Sequence, residues 1–218
     1  MKTMHYAGIA VIAACFAGTA AAQEVVPLPA PKIRGQVMKT LKNRISVKGF
    51  SAKELSDRNL GEVLWAGFGI ADPVSGRRTA PAAFGSNEID IYVLSADGVF
   101  LYDPAAHGIR RVGSEDVRGI VASQGYVKSA PVHLIYVADY DRAAKVYPSS
   151  YDDQMKSWAM MHTGFIAQNV VLYSSSHGMS AVVRSPGNVE RLRAALKLPD
   201  NCEVVMSQAV GYVPEGWR

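Results

Sequence analysis

The stretch covering residues 152–184 constrains the fold more than any other part of the chain. Its first 25 residues, 152–176, contain no proline and a single glycine, Gly164. Mostly apolar residues recur there at steps of three and four, which is the period of an amphipathic helix. They are Met155, Trp158, Ala159, Met161, Phe165, Ile166, Asn169, Val170, Leu172 and Tyr173. Because these positions cover much of the helix circumference, the sequence predicts a long helix buried on more than one side.

Both ends of this helix carry sequence signals. Asp152 and Asp153 suit the positive N-terminal end of the helix dipole. His177 and Gly178 are expected to stop the helix, since glycine can take the left-handed conformation of a C-terminal cap. A short strand over residues 181–184 follows directly, so the chain returns to the core. We therefore interpret the long helix as a scaffold on which a site is built.

The first 22 residues have the features of an export signal. Lys2 is the only charged residue before Glu24, and the apolar run that follows it closes on three alanines at 20–22. This pattern predicts a secretory signal peptide cleaved between Ala22 and Gln23. An alternative is a bacterial lipoprotein box at residues 12–15, which would lipidate Cys15. Both interpretations predict a periplasmic or otherwise exported protein.

Residues 23–218 are expected to form one domain behind a short leader. Residues 23–37 include the proline-rich run VVPLPAPK and predict a flexible leader, and residues 38–218 predict a single domain. Cys202 is the only cysteine left after cleavage, so an internal disulfide is excluded. Loss of Lys2 takes the formal net charge from +4 to +3, with acids and bases interspersed. We expect no nucleic-acid partner and no membrane surface apart from the lipidation alternative.

Short strands and helices make up the rest of the pattern. Helices are predicted over residues 34–43, 58–66, 115–122 and 189–196, the last capped by Asn188. Strands are predicted over residues 89–94, 99–102, 109–112, 131–138, 181–184 and 203–212. The Asp97-Gly98 turn predicts a hairpin between the first two, and the nearly all-apolar run 131–138 predicts a central strand.

Two segments could bind a ligand. In residues 44–50 (RISVKGF), Arg44, Ser46 and Lys48 alternate with apolar residues and so share one face of an extended segment. Two cations and a hydroxyl can hold an anion such as phosphate, and a solvated edge is the alternative. The small residues of loop 77–87 (RRTAPAAFGSN) leave room for a flat ligand near the backbone, with an ordinary surface loop as the alternative.

The familiar hydrolase and metal motifs are absent. The sequence contains no G-x-S-x-G, H-E-x-x-H, C-x-x-C or Walker loop. His133 lies in an apolar strand and is expected to be a core histidine with satisfied hydrogen bonds. His162 and His177 are expected to pack against or cap the long helix. Since no side-chain acid–base pair stands out, we predict no catalytic side chain and no metal, and any hard chemical step falls to a cofactor.

Several blocks of the sequence resemble one family. Residues 44–50 resemble the R-x-S-x-R/K-x-F signature that opens flavin-dependent nitroreductases. Residues 64–70 (LWAGFGI) and 78–83 (RTAPAA) are similar to blocks of the branch that includes the SagB-like azoline dehydrogenases. Further blocks that resemble the family are 130–132 (APV), 164–172 (GFIAQNVVL) with Gly178-Met179, and 208–212 (QAVGY). Together they cover residues 38–214 in order.

The resemblance implies an α+β, nitroreductase-like fold with a mainly antiparallel sheet, flanking helices and a long central helix. It also implies a homodimer that binds FMN at the subunit interface. Arg44 and Ser46, with Ile45 between them, would hold the phosphate and ribityl chain, and Lys48 would lie near the pyrimidine edge of the ring. The other implied contacts are the ring lining by Ala82, Ala83, Gly85 and Asn87, largely from the second subunit, and backbone groups of Ser180, Ala181 and Val182.

Two departures from the family pattern lie in these implied contacts. Loop 81–87 lacks the usual hydroxyl and flavin-binding amide, unless Asn87 replaces the amide. The family's last phosphate cation has one candidate here, Arg218 at the terminus.

The function implied is an exported FMN-dependent oxidoreductase that transfers hydride between a donor and a small organic acceptor by a ping-pong mechanism. One alternative is a degenerate relative that binds flavin or another ligand without turnover. A structural domain without cofactor is the other.

Overall fold

The computed structural model describes residues 27–47, 49–121 and 125–217. The predicted signal peptide, Cys15, Lys48 and Arg218 lie outside these ranges. Two units are distinguished by their internal contacts, 1–32 and 33–218. In the first, residues 27–32 are exposed and form no helix or strand.

The second unit is built on a six-stranded sheet in which every neighbouring pair is antiparallel. Its strands are β3 (Ile89–Ser95), β4 (Gly98–Asp103), β5 (Gly108–Gly113), β6 (Val132–Asp139), β7 (Met179–Arg184) and β8 (Cys202–Tyr212), preceded by a small hairpin of β1 (Ile70–Asp72) and β2 (Arg77–Arg78). The order is β5-β4-β3-β6-β8-β7, so the apolar β6 is an inner strand as its composition predicts. The mainly antiparallel α+β prediction is confirmed.

Six α-helices are present in the described part of the chain. They are α1 (Gly35–Asn43), α2 (Asp57–Phe68), α3 (Gly125–Lys128), α4 (Tyr140–Ala144), α5 (Met155–Ser176) and α6 (Val189–Leu196). The predicted long helix is α5. It ends before Gly178, whose φ of +68° is the left-handed conformation expected of that residue. Asn188 caps α6 as predicted, by accepting a hydrogen bond from the Arg191 N–H at 2.9 Å.

Both faces of the sheet are covered because its side chains alternate along each strand. Leu134 of β6 points to the face where α2 and α5 pack, with Ile166 of α5 in the same buried cluster. Its neighbour Ile135 points to the other face, where Leu192 and Leu196 of α6 cover it. Burial of each such side chain stabilises the fold by about 1.5–3 kcal/mol. The long helix therefore lies on one face of the core, as a scaffold should.

Two predicted boundaries are wrong. The helix expected over residues 115–122 is, within the described residues, only a 3-10 turn at Arg118–Ile120. Asp116 Oδ1 accepts hydrogen bonds from both the backbone N–H and the guanidinium of Arg118, which holds a turn instead of a helix. Asp152 and Asp153 lie in a 3-10 turn, Ser149–Gln154, that precedes α5 rather than in its first turn.

The long helix keeps an apolar surface on its outer side. Met160, Met161 and Phe165 are exposed and surround Gly164. The other side of α5 is buried against the sheet and α2. The apolar residues of α5 therefore cover more of its circumference than the sheet and α2 bury. Among the described residues, no helix is both long enough and apolar enough to cross a membrane.

Candidate flavin site

The segment that follows α1 brings together the side chains predicted to hold an anion. The helix ends at Asn43, and Arg44 leaves it in an extended conformation with φ −63° and ψ 120°. Arg44 Nη1 donates a long hydrogen bond of 3.5 Å to Ser46 Oγ, so the two side chains share one face as the alternation predicts. Val47 on the other side is buried. A guanidinium and a hydroxyl are thus presented together at the surface.

This segment is fixed to the edge strand β7. The Val47 N–H donates to Ser180 Oγ at 3.3 Å, and Ser180 is buried. Ala181 and Val182 pair with Val210 and Ala209 of β8, so β7 is hydrogen-bonded to a strand on one side only. Two sets of predicted site residues, far apart in sequence, are therefore neighbours in the fold.

A cleft of about 560 Å³ opens beside the same segment. We call it the C-terminal cleft because residues 213–217 form one wall. Its lining residues are Asn43, Ile45, Ser175, Gly178, Met179, Val213, Pro214, Glu215, Gly216 and Trp217. Its size lies within the range of small-molecule and cofactor sites. Of the predicted site residues, Ile45 lines the cleft directly, and Arg44 and Ser46 are its neighbours in the chain.

The remaining predicted contacts lie in residues 82–87, the 82–87 loop. Phe84, Gly85 and Asn87 have φ values of +52°, +66° and +45°, in the left-handed region that is uncommon for residues other than glycine. The Asn87 side-chain amide donates to the Gly85 carbonyl at 2.9 Å, so it stabilises the loop itself. Ala82, Ala83 and Gly85 have little or no side chain and leave the loop backbone accessible to a flat ligand.

A buried polar network holds this loop from below. The Ala83 N–H donates to His162 Nε2 at 3.0 Å, and His162 Nδ1 lies 2.6 Å from Glu88 Oε1. Ser86 Oγ donates to the other oxygen of Glu88 at 2.5 Å and lies 3.1 Å from the Tyr147 hydroxyl. His162 and Glu88 are each 1% exposed. Burial alone would raise the pKa of Glu88, but the hydrogen bonds from His162 and Ser86 outweigh burial and leave its pKa below the usual value.

Sequence reasoning did not find this network. His162 was expected to pack on the face of the long helix or to cap it, and it lies on the buried face of α5, but Glu88 carried no signal at all. The two residues are separated by 74 positions in the chain. A helical histidine and an acidic residue just before a strand are common patterns, so only the fold pairs them.

The C-terminal cleft and the 82–87 loop lie at different places along α5. The loop contacts α5 at His162, whereas the cleft meets it at Ser175. These positions are 13 residues apart, which at 1.5 Å per residue is about 20 Å along the helix axis. None of residues 82–87 lines the cleft. Within one chain, therefore, the predicted site residues form two separate groups.

The donor set suits the phosphate end of a flavin mononucleotide. Arg44 offers a charged fork of N–H donors and Ser46 a hydroxyl, which is the chemistry that binds phosphate. The adjoining cleft provides volume for the rest of the molecule. In the described ranges, no cluster of three or more His, Cys, Asp or Glu side chains could hold a metal ion.

Comparison with known proteins assigns the chain to a family. The model of the nitroreductase family matches residues 41–212. A provisionally assigned nitroreductase of Methanocaldococcus jannaschii is 31% identical over 167 residues, covering 72% of this chain and 82% of that protein. A crystal structure of a provisionally assigned nitroreductase from Ralstonia eutropha is 31% identical and superposes with a TM-score of 0.76 over 87% of this chain and 89% of that one.

The name of a third relative includes a flavin. The NADPH-flavin oxidoreductase of Vibrio harveyi is 30% identical over 97 residues, which is 41% of this chain and 39% of that protein. The first two matches extend over most of the chain, and the family model spans from α1 to the end of β8. The chain therefore belongs to the nitroreductase family.

Proposed function

We propose that this protein is an exported FMN-dependent oxidoreductase that acts as a homodimer, in the branch that includes the SagB-like dehydrogenases. The observation that carries the proposal is the pairing of Arg44 and Ser46 beside the C-terminal cleft, in a family with flavin-named relatives. FMN, when bound, would supply ping-pong hydride transfer from an organic donor to a small organic acceptor. The roles of the chain are to bind the phosphate, orient the ring and exclude water.

Dimerisation is proposed because one chain keeps the two groups of site residues apart. A second copy could bring its 82–87 loop to the C-terminal cleft of the first. The apolar outer side of α5, with Met160, Met161 and Phe165 exposed, offers a surface for that contact. Exposed apolar patches of this kind mark protein interfaces.

The phosphate assignment can be tested by charge reversal at Arg44. In Arg44→Glu, a carboxylate replaces the guanidinium and would repel the phosphate, so we expect the purified protein to lose its visible flavin absorption and its thermal shift with added FMN. Arg191→Glu is the matched control, since Arg191 is an exposed arginine on α6. If Arg44→Glu retains flavin as the wild type does, the phosphate site is assigned to the wrong residues.

One observation favours a second candidate, a flavin-binding protein without turnover. Ala82 and Ala83 offer no side-chain donor, and the Asn87 amide is used within the loop. On the side of the 82–87 loop, the flavin ring would then be oriented by backbone groups alone. Anaerobic stopped-flow reduction separates the two candidates, because the oxidoreductase bleaches with at least one donor and the binding protein with none. Nicotinamide cofactors are scarce outside the inner membrane, so we expect an organic donor to reduce it faster than NADH or NADPH.

A further inference from the structure

We infer that His162 and Glu88 are positioning residues that preset the 82–87 loop for flavin binding. The inference rests on the proposed function, because it assigns a role within the flavin site. Neither residue reaches the loop's exposed surface, so their action on a ligand would be indirect. Four features of the fold support it.

The loop needs outside support. Phe84 and Asn87 are non-glycine residues in left-handed conformations, which are sparsely populated and costly for a bulky side chain such as that of Phe84. Backbone conformations of this kind persist only where the surrounding structure determines them. The Phe84 ring packs on Tyr147, Tyr151 and Trp158 but remains 56% exposed, so its own packing is incomplete.

The buried network supplies anchors on both sides of the strained residues. On the N-terminal side, the Ala83 N–H is held by His162 Nε2. On the C-terminal side, the Ser86 hydroxyl is held by Glu88 and contacts Tyr147. The Asn87 carbonyl accepts a hydrogen bond from Arg142 Nη1 at 3.0 Å, and the same guanidinium binds Asp90 through two bonds of 2.9 Å. The loop is therefore clamped at each end and open in the middle.

The chemistry at position 162 is specific. A backbone N–H points at Nε2, so that nitrogen must be the acceptor and the proton must reside on Nδ1, where it is donated to Glu88. A neutral imidazole is the side chain that offers an acceptor at one end and a donor at the other across a rigid ring. Glu88 therefore fixes the His162 tautomer that carries its proton on Nδ1, and this tautomer leaves Nε2 free to accept the hydrogen bond from the Ala83 N–H.

The network also explains why a charge is buried here. A carboxylate that is 1% exposed would be strongly destabilising if it lacked partners, and Glu88 has two side-chain donors. A preformed loop lowers the ordering cost that a ligand would otherwise meet on binding.

The test separates the two hydrogen bonds of His162. His162→Gln places an amide oxygen near the position of Nε2 and can keep the bond to Ala83. His162→Asn places its side-chain amide near the position of Nδ1. It can therefore keep the hydrogen bond to Glu88, but it loses the hydrogen bond from the Ala83 N–H. The readouts are hydrogen exchange of the Ala83 amide without flavin, measured by NMR, and the dissociation constant for FMN, measured by flavin fluorescence.

We expect the Ala83 amide of His162→Asn to exchange at least about tenfold faster than in the wild type and FMN to bind at least about tenfold more weakly, the size of one lost buried hydrogen bond. His162→Gln should restore both values toward the wild type, which a general loss of stability would not do. Thr163→Val is the control, because Thr163 is the next buried residue of α5 and its hydroxyl has no hydrogen-bond partner within the described residues.

The outcomes distinguish this inference from the proposed function. If the wild type binds no FMN, the proposed function fails and this inference with it. If the wild type binds FMN and the two His162 variants bind it equally well, the inference alone is overturned. Should His162→Asn not fold, Tyr147→Phe replaces it, since that change removes only the hydroxyl 3.1 Å from Ser86. FMN binding weakened about fivefold then supports the inference, and unchanged binding overturns it.

Discussion

Replacement of His133 by leucine should remove the part of the protein's acid sensitivity that comes from a buried imidazole. His133 lies on the inner strand β6, is 1% exposed, and its Nε2 has no hydrogen-bond partner within the described ranges. The expectation of a buried histidine is confirmed, but that of full hydrogen bonding is not. Burial, followed by the charges of Arg118 and Arg184, lowers its pKa from 6.5 to about 4.

The size and sign of the effect follow from this shift. The native state resists protonation of His133 until about pH 4, whereas the unfolded chain takes up the proton near pH 6.5. Between these values the unfolded state binds more protons, so stability falls as the pH falls. The native protein has the full stability above pH 6.5 and no further loss from this group below pH 4. A shift of 2.5 units at 1.36 kcal/mol per unit gives a total of about 3 kcal/mol.

Urea unfolding of the wild type and His133→Leu between pH 7.5 and pH 4 measures this difference. Carboxylates that do not interact with His133 contribute equally to both proteins, so the gap between the two curves reports His133 and its interaction with Asp116. We expect the stability of His133→Leu relative to the wild type to rise by about 3 kcal/mol from pH 7.5 to pH 4. Ser174→Ala is the control, because it changes a fully buried side chain that does not titrate, and its curve should run parallel to that of the wild type. Parallel curves for the wild type and His133→Leu would refute the reasoning.

Three further predictions concern packing and assembly. Leu192→Ala removes a fully buried side chain from the inner face of α6 and should lower the free energy of unfolding in urea by about 2–5 kcal/mol. The control is Leu28→Ala, which should leave the free energy of unfolding unchanged because Leu28 is 87% exposed. Gly211→Ala should cost about 1–3 kcal/mol in the same assay, because the new Cβ would lie 2.6 Å from Pro131 Cδ and 3.0 Å from Phe50 Cδ1; Gly119→Ala, with open space around it, is the control. Phe165→Glu on the outer side of α5 should shift the protein from dimer to monomer in light scattering, and a wild type that is already monomeric would contradict the proposed assembly.

The sequence correctly predicted the helices and strands whose formation depends on residues close together in the chain. Helix α5 follows from its three-and-four spacing and ends at Ser176, just before Gly178, and α6 begins after its predicted Asn188 cap. The inner strand β6 follows from its apolar run. Helix α4, which was not predicted, is capped by Asp139, whose side chain accepts the Arg142 N–H at 3.1 Å; an aspartate at the end of an apolar strand was the available signal.

The resemblance to flavin-dependent nitroreductases identified which residues belong to the family's motifs, but it could not show where those motifs lie relative to one another in this fold. Residues 44–46 and 180–182 meet through the bond between Val47 and Ser180, which no spacing in the sequence indicates. Asn87 was considered as a replacement for the missing flavin amide, but its side chain bonds to Gly85 within its own loop. Whether a polar side chain serves a ligand or its own backbone depends on loop geometry, and that geometry is set by contacts distant in sequence.

The sequence by itself determined one long helix, one inner apolar strand and the shared face of Arg44 and Ser46, because period, capping and residue type act over a few residues. The α+β class with a mainly antiparallel sheet was implied by the resemblance of the motifs to the nitroreductase family. Only the tertiary structure decided that His162 and Glu88 form a buried pair, that burial lowers the pKa of His133, and that the 82–87 loop and the C-terminal cleft meet α5 at positions about 20 Å apart along its axis. Hydrogen bonding, burial and distance between remote residues are properties of the packed chain, because water surrounds every one of these groups until the sheet and helices exclude it.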